Sequence, residues 1–238
     1  FQAEDGIRDS VASRGLGDVY KRQVAMEDYL KSLWKLGPKD VGTQELADNL
    51  NVTPASATKM ILRLTEKGLV DHIPYKGASL TKKGELEALS IVRKHRLLET
   101  FLSQTLGLGR EEIHDEAEKL EHALSKNLEM AIAEFLGNPT RDPHGHPIPG
   151  PNGELYNERD LPLCDSPINM SLTVMQVPDD DPSILAWLEN NGIHPGIKLE
   201  IISRDKFDGG LNVKIGDIKK RISSSVASLV KISFEVEN

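Results

Sequence analysis

The sequence predicts a mainly α-helical chain that closes on a small β-rich module. Three observations predict it. From Met26 onward, Met26, Tyr29, Leu30, Leu33, Trp34 and Leu36 recur at helical spacing. In "TQELADNLNVTPASATKMILRLTEKGLV" two short helical patterns meet at a tight turn. From Asn169 to the end, the alternating runs "SLTVMQV", "KLEIIS", "LNVKIG" and "LVKISFEVE" give short strands around one helix, Pro182 to Asn190. Their spacing suits a small barrel.

Residues 1–23 stand apart from this pattern. They have no helical period, and Ser13 to Gln23 back-translates in frame to a transposase-based sequencing adaptor. Gln2 to Asp9 resembles the outer part of the same adaptor. The stretch is therefore read as adaptor-derived and disordered, and it is set outside the fold.

The first domain, 24–92, carries a helix-turn-helix pattern. Thr43 is placed to cap a helix that buries Leu46, Ala47 and Leu50. Asn51-Val52-Thr53 makes the turn, and Thr53-Pro54 supplies an N-cap followed by proline at the first helical position. The second helix buries Ala57, Met60, Ile61 and Leu64, while its first turn stays small and polar with Ser56, Thr58 and Lys59. Such a helix enters a DNA major groove. "LVDHIPYKGASLTKKGELEAL" then reads as strand, Lys76-Gly77 turn, strand and new helix, the winged variant of the motif. Thr53, Ser56, Thr58, Lys59 and Lys76 are the candidate DNA contacts, the lysines for phosphates and the small residues for bases.

Charge supports two sites with different clients. The net charge of −8 argues against nucleic acid, but its distribution does not. Between Pro54 and Gly84 six basic residues face two acidic ones, and between Gly109 and Phe135 eight acidic residues face three basic ones. No run approaches eighteen apolar residues, so no membrane helix is expected. The single cysteine, Cys164, excludes a disulfide framework and points to a cytoplasmic protein.

The second domain, 93–165, is expected to hold two longer helices broken near "GLGREE", followed by a proline- and glycine-rich linker. In "EEIHDEAEKLEHALSKNLEM", Ile113, Ala117, Leu120, Leu124 and Leu128 form one apolar stripe. His114, Glu118, Glu121 and His122 flank it, and like charges crowded there call for a compensating cation. His95 and Glu99 in "RKHRLLETF" form a second pair at i, i+4. The donors are oxygen and imidazole without thiolate, which favours Mn(II) or Fe(II) over structural zinc. A metal-dependent hydrolase using Glu118, Glu121, His122 and a bound water is the alternative from another class. It would require a substrate cleft, and the chain has no nucleophile elbow or phosphate loop.

Together "MEDYL", the winged helix, "RKHRLLE", "HDEAEKLEH", "GNP…HGHPIPG" and the C-terminal runs resemble the diphtheria-toxin-repressor family of iron- and manganese-dependent regulators. The resemblance implies a helical metal-binding and dimerisation domain, an SH3-like module over 166–238, and a homodimer that represses palindromic operators of metal-homeostasis genes. It implies a primary metal site at Asp28, Glu118, Glu121 and His122. Iron-type members carry methionine and cysteine at the positions of Asp28 and Glu118, so the resemblance is to the manganese-responsive branch. An iron-responsive repressor of the same fold is the runner-up. Two competing versions of a secondary site are implied. One uses Glu99, Asp142, His144 and Asp179, with Asp180 or Asp181 as substitutes for the last; the other uses His95 and His114. Lys31 departs from the short two-domain regulators, which have a manganese-binding glutamate there.

Overall fold

In the computed structural model of the chain, residues 3–155 and 160–234 are described, side chains from residue 18 onward with Glu111 excepted. Residues 156–159 of the linker and 235–238 of the last run lie outside the described residues. The chain divides into two compact units between Arg93 and Lys94, with residues 151–153 returning to the first.

The N-terminal unit begins with α1, Ala3–Lys35. Its last ten residues bury Tyr29, Leu30 and Leu33. The expected disorder of residues 1–23 is corrected, because α1 runs through this stretch from Ala3. Once the packed end of a helix exists, each added residue brings a hydrogen bond without a new nucleus. Residues 18–23 are exposed.

Helix α2, Thr43–Asn49, and α3, Pro54–Glu66, form the helix-turn-helix. Gly42, not Thr43, is the N-cap of α2, without a side-chain cap. At α3 the expected cap is present: the Thr53 hydroxyl oxygen accepts from the Ser56 amide at 3.2 Å. Asn51 takes the left-handed conformation, φ 52°, in the turn between them. Leu46, Ala47, Ala57, Ile61 and Leu64 are fully buried beneath. Strands β1, Val70–Ile73, and β2, Gly77–Leu80, pair antiparallel as the wing. The left-handed residue of its turn is Tyr75, φ 66°, rather than Lys76. Gly77 closes the wing against the preceding chain: an added Cβ there would lie 2.6 Å from the Val41 carbonyl oxygen.

Helix α4, Lys82–Leu106, contains the division between the units. In the C-terminal unit it is followed by α5, Arg110–Glu121, and α6, Lys126–Phe135. The single helix expected for "EEIHDEAEKLEHALSKNLEM" is thus two. His122 is the C-cap of α5, and Ser125 restarts the chain, its hydroxyl accepting from Leu128 N at 3.3 Å. A serine cap satisfies the orphan amides of a new helix, which a periodicity argument does not weigh. The remaining strands are β3, Leu161–Pro162, β4, Ser171–Gln176, β5, Lys198–Arg204, β6, Leu211–Ile215, β7, Ile218–Ile222, and β8, Lys231–Phe234. They form one antiparallel sheet in the order β3-β8-β4-β5-β6-β7. Bulges at Val174/Gln176 and Ile201/Ser203 bend it. It closes over a core that includes Leu163, Leu172, Val174, Val213 and Ile232. Helix α7, Pro182–Asn190, lies where expected, and α8, Ser224–Leu229, precedes the last strand. No helix among the described residues is long and apolar enough to cross a membrane.

Candidate metal centre and nucleic-acid interface

The first turn of α3 is open to solvent, and Ser56, Thr58 and Lys59 are all exposed on it. Thr53 is exposed too, but its oxygen is committed to the cap. Lys76 is exposed on the wing beside Tyr75, whose side chain projects fully from the turn. Tyr75 is a candidate contact that pattern reading passes over, since an aromatic in a loop carries no periodic signal.

In the C-terminal unit, carboxylates and imidazoles converge below the surface. Glu99, on the buried face of α4, has no exposed area. Its Oε1 lies 3.1 Å from His95 Nε2, 3.3 Å from His114 Nδ1 and 3.8 Å from His144 Nδ1. The other nitrogen of His95, Nδ1, meets Glu121 Oε2 at 2.6 Å. Glu121 ends α5 fully buried, with His122 Nε2 3.5 Å from its Oε1. Glu118, one turn earlier, groups with Glu121 and His95 within the reach of one ion. Asp28 is half-buried on α1 in the N-terminal unit, three residues before the buried Lys31.

The proline-rich loop supplies the other donors. Asp142 Oδ1 accepts from the amides of His144 and His146, each at 2.9 Å, which leaves Oδ2 turned into the cluster. His144 donates from Nε2 to the Arg110 carbonyl at 3.2 Å. A carbonyl only accepts, so this bond fixes the proton on Nε2 and presents Nδ1 to Glu99. Asp179 is the aspartate of "VPDDDPS" that joins the cluster, grouping with Glu99 and His144. Asp180 is exposed, and Asp181 is engaged as the cap of α7. His146 was not among the sequence candidates. Its Nδ1 stands 3.4 Å from Asp142 Oδ2 and 3.7 Å from Asp179 Oδ2. The signal was present in "DPHGH", with the histidine four residues after the aspartate.

Burial by itself would raise the Glu99 carboxyl. Hydrogen bonds from His114 and His95, with the charge of His95, outweigh it and hold Glu99 well below the usual carboxylate range. Burial would lower His146, but the Asp142 and Asp179 carboxylates outweigh it and raise the imidazole. Four buried atoms of the cluster lack a hydrogen-bond partner: Glu99 Oε2, Asp142 Oδ2, His144 Nδ1 and His146 Nδ1. Unsatisfied buried donors and acceptors are costly, and oxygen and imidazole lone pairs facing one another suit a divalent cation. The residues fit a metal.

Gly145 sets the loop in place. It has φ +89°, and an added Cβ would lie 1.8 Å from the Met175 carbonyl oxygen of β4. The Val177 amide bonds the His144 carbonyl at 2.9 Å alongside. Gly145→Ala is expected to displace His144 and His146 and to lower metal affinity at this cluster by about 10–100-fold, the range for lost supporting interactions. Equilibrium dialysis against Mn(II) measures it, and parental binding would show that the loop absorbs the methyl group.

On the outer side of the same unit, Leu106, Leu120, Leu128 and Phe135 line an apolar groove of about 660 Å³. Phe135 is 70% exposed there.

A winged helix-turn-helix in the N-terminal unit and a buried cluster of hard donors in the C-terminal unit are the two parts expected of a metal-responsive DNA-binding protein. The model of the iron-dependent repressor N-terminal DNA-binding domain matches residues 23–78. That of the iron-dependent repressor metal-binding and dimerisation domain matches 81–150, and that of the FeoA domain 161–233. The diphtheria toxin repressor of Corynebacterium efficiens is 30% identical over 192 residues, 74% of this chain and 82% of that protein. The iron-dependent repressor IdeR of Mycobacterium leprae is 29% identical over 189 residues, with the same shares. Among solved structures, a manganese-dependent transcriptional repressor in complex with manganese superposes with a TM-score of 0.82 at 37% identity, covering 88% of this chain and 99% of that one. The manganese regulator SloR gives 0.75 at 30%, covering 88% and 98%. The chain belongs to the iron-dependent repressor family. That membership sets aside the hydrolase alternative.

Proposed function

We propose that this protein is a Mn(II)-activated repressor that acts in the cytoplasm as a homodimer on palindromic operators of metal-homeostasis genes. The observation that carries the reading is the donor set at the end of α5: Glu118, Glu121 and His122 offer only carboxylate and imidazole. The lone thiol, Cys164, belongs to the β-rich part of the chain, against whose core it packs. Hard donors of this kind suit Mn(II). Asp28 on α1 is proposed as the fourth donor from the family resemblance. A bound divalent cation supplies positive charge that offsets these carboxylates. With metal bound, two recognition helices of the dimer stand about 34–36 Å apart, one turn of DNA. Because the metal-bound state binds DNA better, DNA must in turn raise metal affinity. The apolar groove of the C-terminal unit supports the dimer, since pairing would cover it.

Duplex binding titrated with Mn(II), Fe(II) and Zn(II) side by side tests the choice of metal. The iron-responsive reading has support in His95 and His114, which match the ancillary site of iron-type members. The double variant Asp28→Met with Glu118→Cys is expected to lose activation by Mn(II) and to keep or gain response to Fe(II), Co(II) or Ni(II). A parental Mn(II) midpoint in that variant would remove Asp28 and Glu118 from the activating site.

Lys59→Ala and Lys76→Ala are each expected to weaken binding to every duplex and to reduce the slope of log K against log salt by about one. An unchanged slope for Lys76→Ala would mean that the wing does not reach the phosphates.

A further inference from the structure

The buried cluster of the C-terminal unit holds more donors than one ion can use. His95 and His114 group with Glu99; Asp142 and His146 group with His144; Glu99 and His144 group with Asp179. Donors of one ion lie within about 4.8 Å of one another, given metal–ligand bonds of roughly 2.0–2.4 Å. The groups together count seven residues, and an octahedral ion has six positions. Glu99 sits in both halves. Its Oε1 faces His95 and His114, and its Oε2 is buried without a hydrogen-bond partner. On the loop side, Asp142 Oδ2, His144 Nδ1 and His146 Nδ1 are buried and likewise lack one. Arg96 Nε, at 3.6 Å from Asp142 Oδ2, is too far to hydrogen-bond it.

We propose that Glu99 bridges two divalent cations, one held with His95 and His114 and the other with Asp142, His144 and His146. The two versions of the secondary site are then neighbours that share a carboxylate, not alternatives. His146 is the donor that makes the second position complete, and Asp179 adds a carboxylate to it from the loop before α7. This inference rests on the chain binding divalent metal, as proposed above, but not on the primary site or on operator binding.

The test is Mn(II) stoichiometry by equilibrium dialysis with low-temperature electron paramagnetic resonance on the intact chain. Two Mn(II) ions joined by a carboxylate give an exchange-coupled spectrum, distinct from the six-line signal of an isolated ion. The parent protein is expected to show the coupled signal. His146→Asn and His114→Asn are each expected to bind one Mn(II) fewer per chain and to show six-line signals only. Asp28→Ala is expected to lose Mn(II)-dependent duplex binding and to retain the coupled signal, which separates this pair from the activating site. A parent spectrum without coupling, or a coupled spectrum retained in either histidine variant, overturns the proposal. The His114 ring is 22% exposed, so if His146→Asn does not fold by circular dichroism, His114→Asn alone decides between these outcomes.

Discussion

Glu121→Ala is expected to abolish metal-activated duplex binding with every divalent metal. Glu121 is fully buried at the end of α5, beside His122 and within the reach of an ion shared with Glu118. Alanine removes the carboxylate and leaves no substitute donor. Loss of a supporting residue around a metal costs about 10–100-fold in affinity, so loss of a ligand should move the activating Mn(II) midpoint by more than about 100-fold. The carboxylate also holds His95 Nδ1 at 2.6 Å, so the variant should be checked for a retained helical circular dichroism spectrum. Duplex binding against free metal, under reducing and anaerobic conditions, is the measurement. A parental midpoint with any of Mn(II), Fe(II) or Co(II) would take Glu121 out of the activating site.

The second large effect concerns the apolar groove. Leu120 and Phe135 are 43% and 70% exposed on one chain, which is costly apolar surface unless a partner covers it. Leu120→Glu with Phe135→Glu should give a monomer at micromolar concentration. Each unpaired charge buried at an interface costs about 3–5 kcal/mol, and in a two-fold dimer each substitution occurs twice. At about 1.4 kcal/mol per tenfold, the dimer constant should weaken by at least about a thousandfold. Sedimentation velocity measures this, and duplex binding should fall with it. A dimer retained by the double variant would place the interface elsewhere.

Much of the fold could be read before any coordinates, because local rules coincide with it. Thr53-Pro54 specifies a cap and a first turn, and both are present. Asp181-Pro182 does the same for α7, whose bounds were legible in full. The break between α5 and α6 was not, because Leu124 and Leu128 continue the apolar period across it while Ser125 acts through a single cap bond. Residues 3–23 misled in the other direction: without an apolar face they read as disordered, yet propagation from the packed part of α1 needs none. In the candidate centre, donors on α4 and α5 followed from helical spacing. His146 did not, because the loop that aims it is fixed by Gly145 against β4, a contact between segments distant in sequence. The same distance separates Asp179 from its neighbours, which is why three consecutive aspartates could not be told apart until one was found capping a helix and another exposed.

The order in which these donors leave the ribosome has a consequence of its own. Glu99 and His114 are made early, the Asp142 loop later, and the β4 strand that pins Gly145 later still, with Asp179 beyond it. Non-local contacts of this kind form only after the distant segment is present. A nascent chain that has completed its winged helix therefore has its DNA-reading surface in place while the loop donors still lack the strand that aims them. Any metal held by the loop donors would therefore be fixed only once β4 has been made, whereas the donors at the end of α5 precede that strand in the chain.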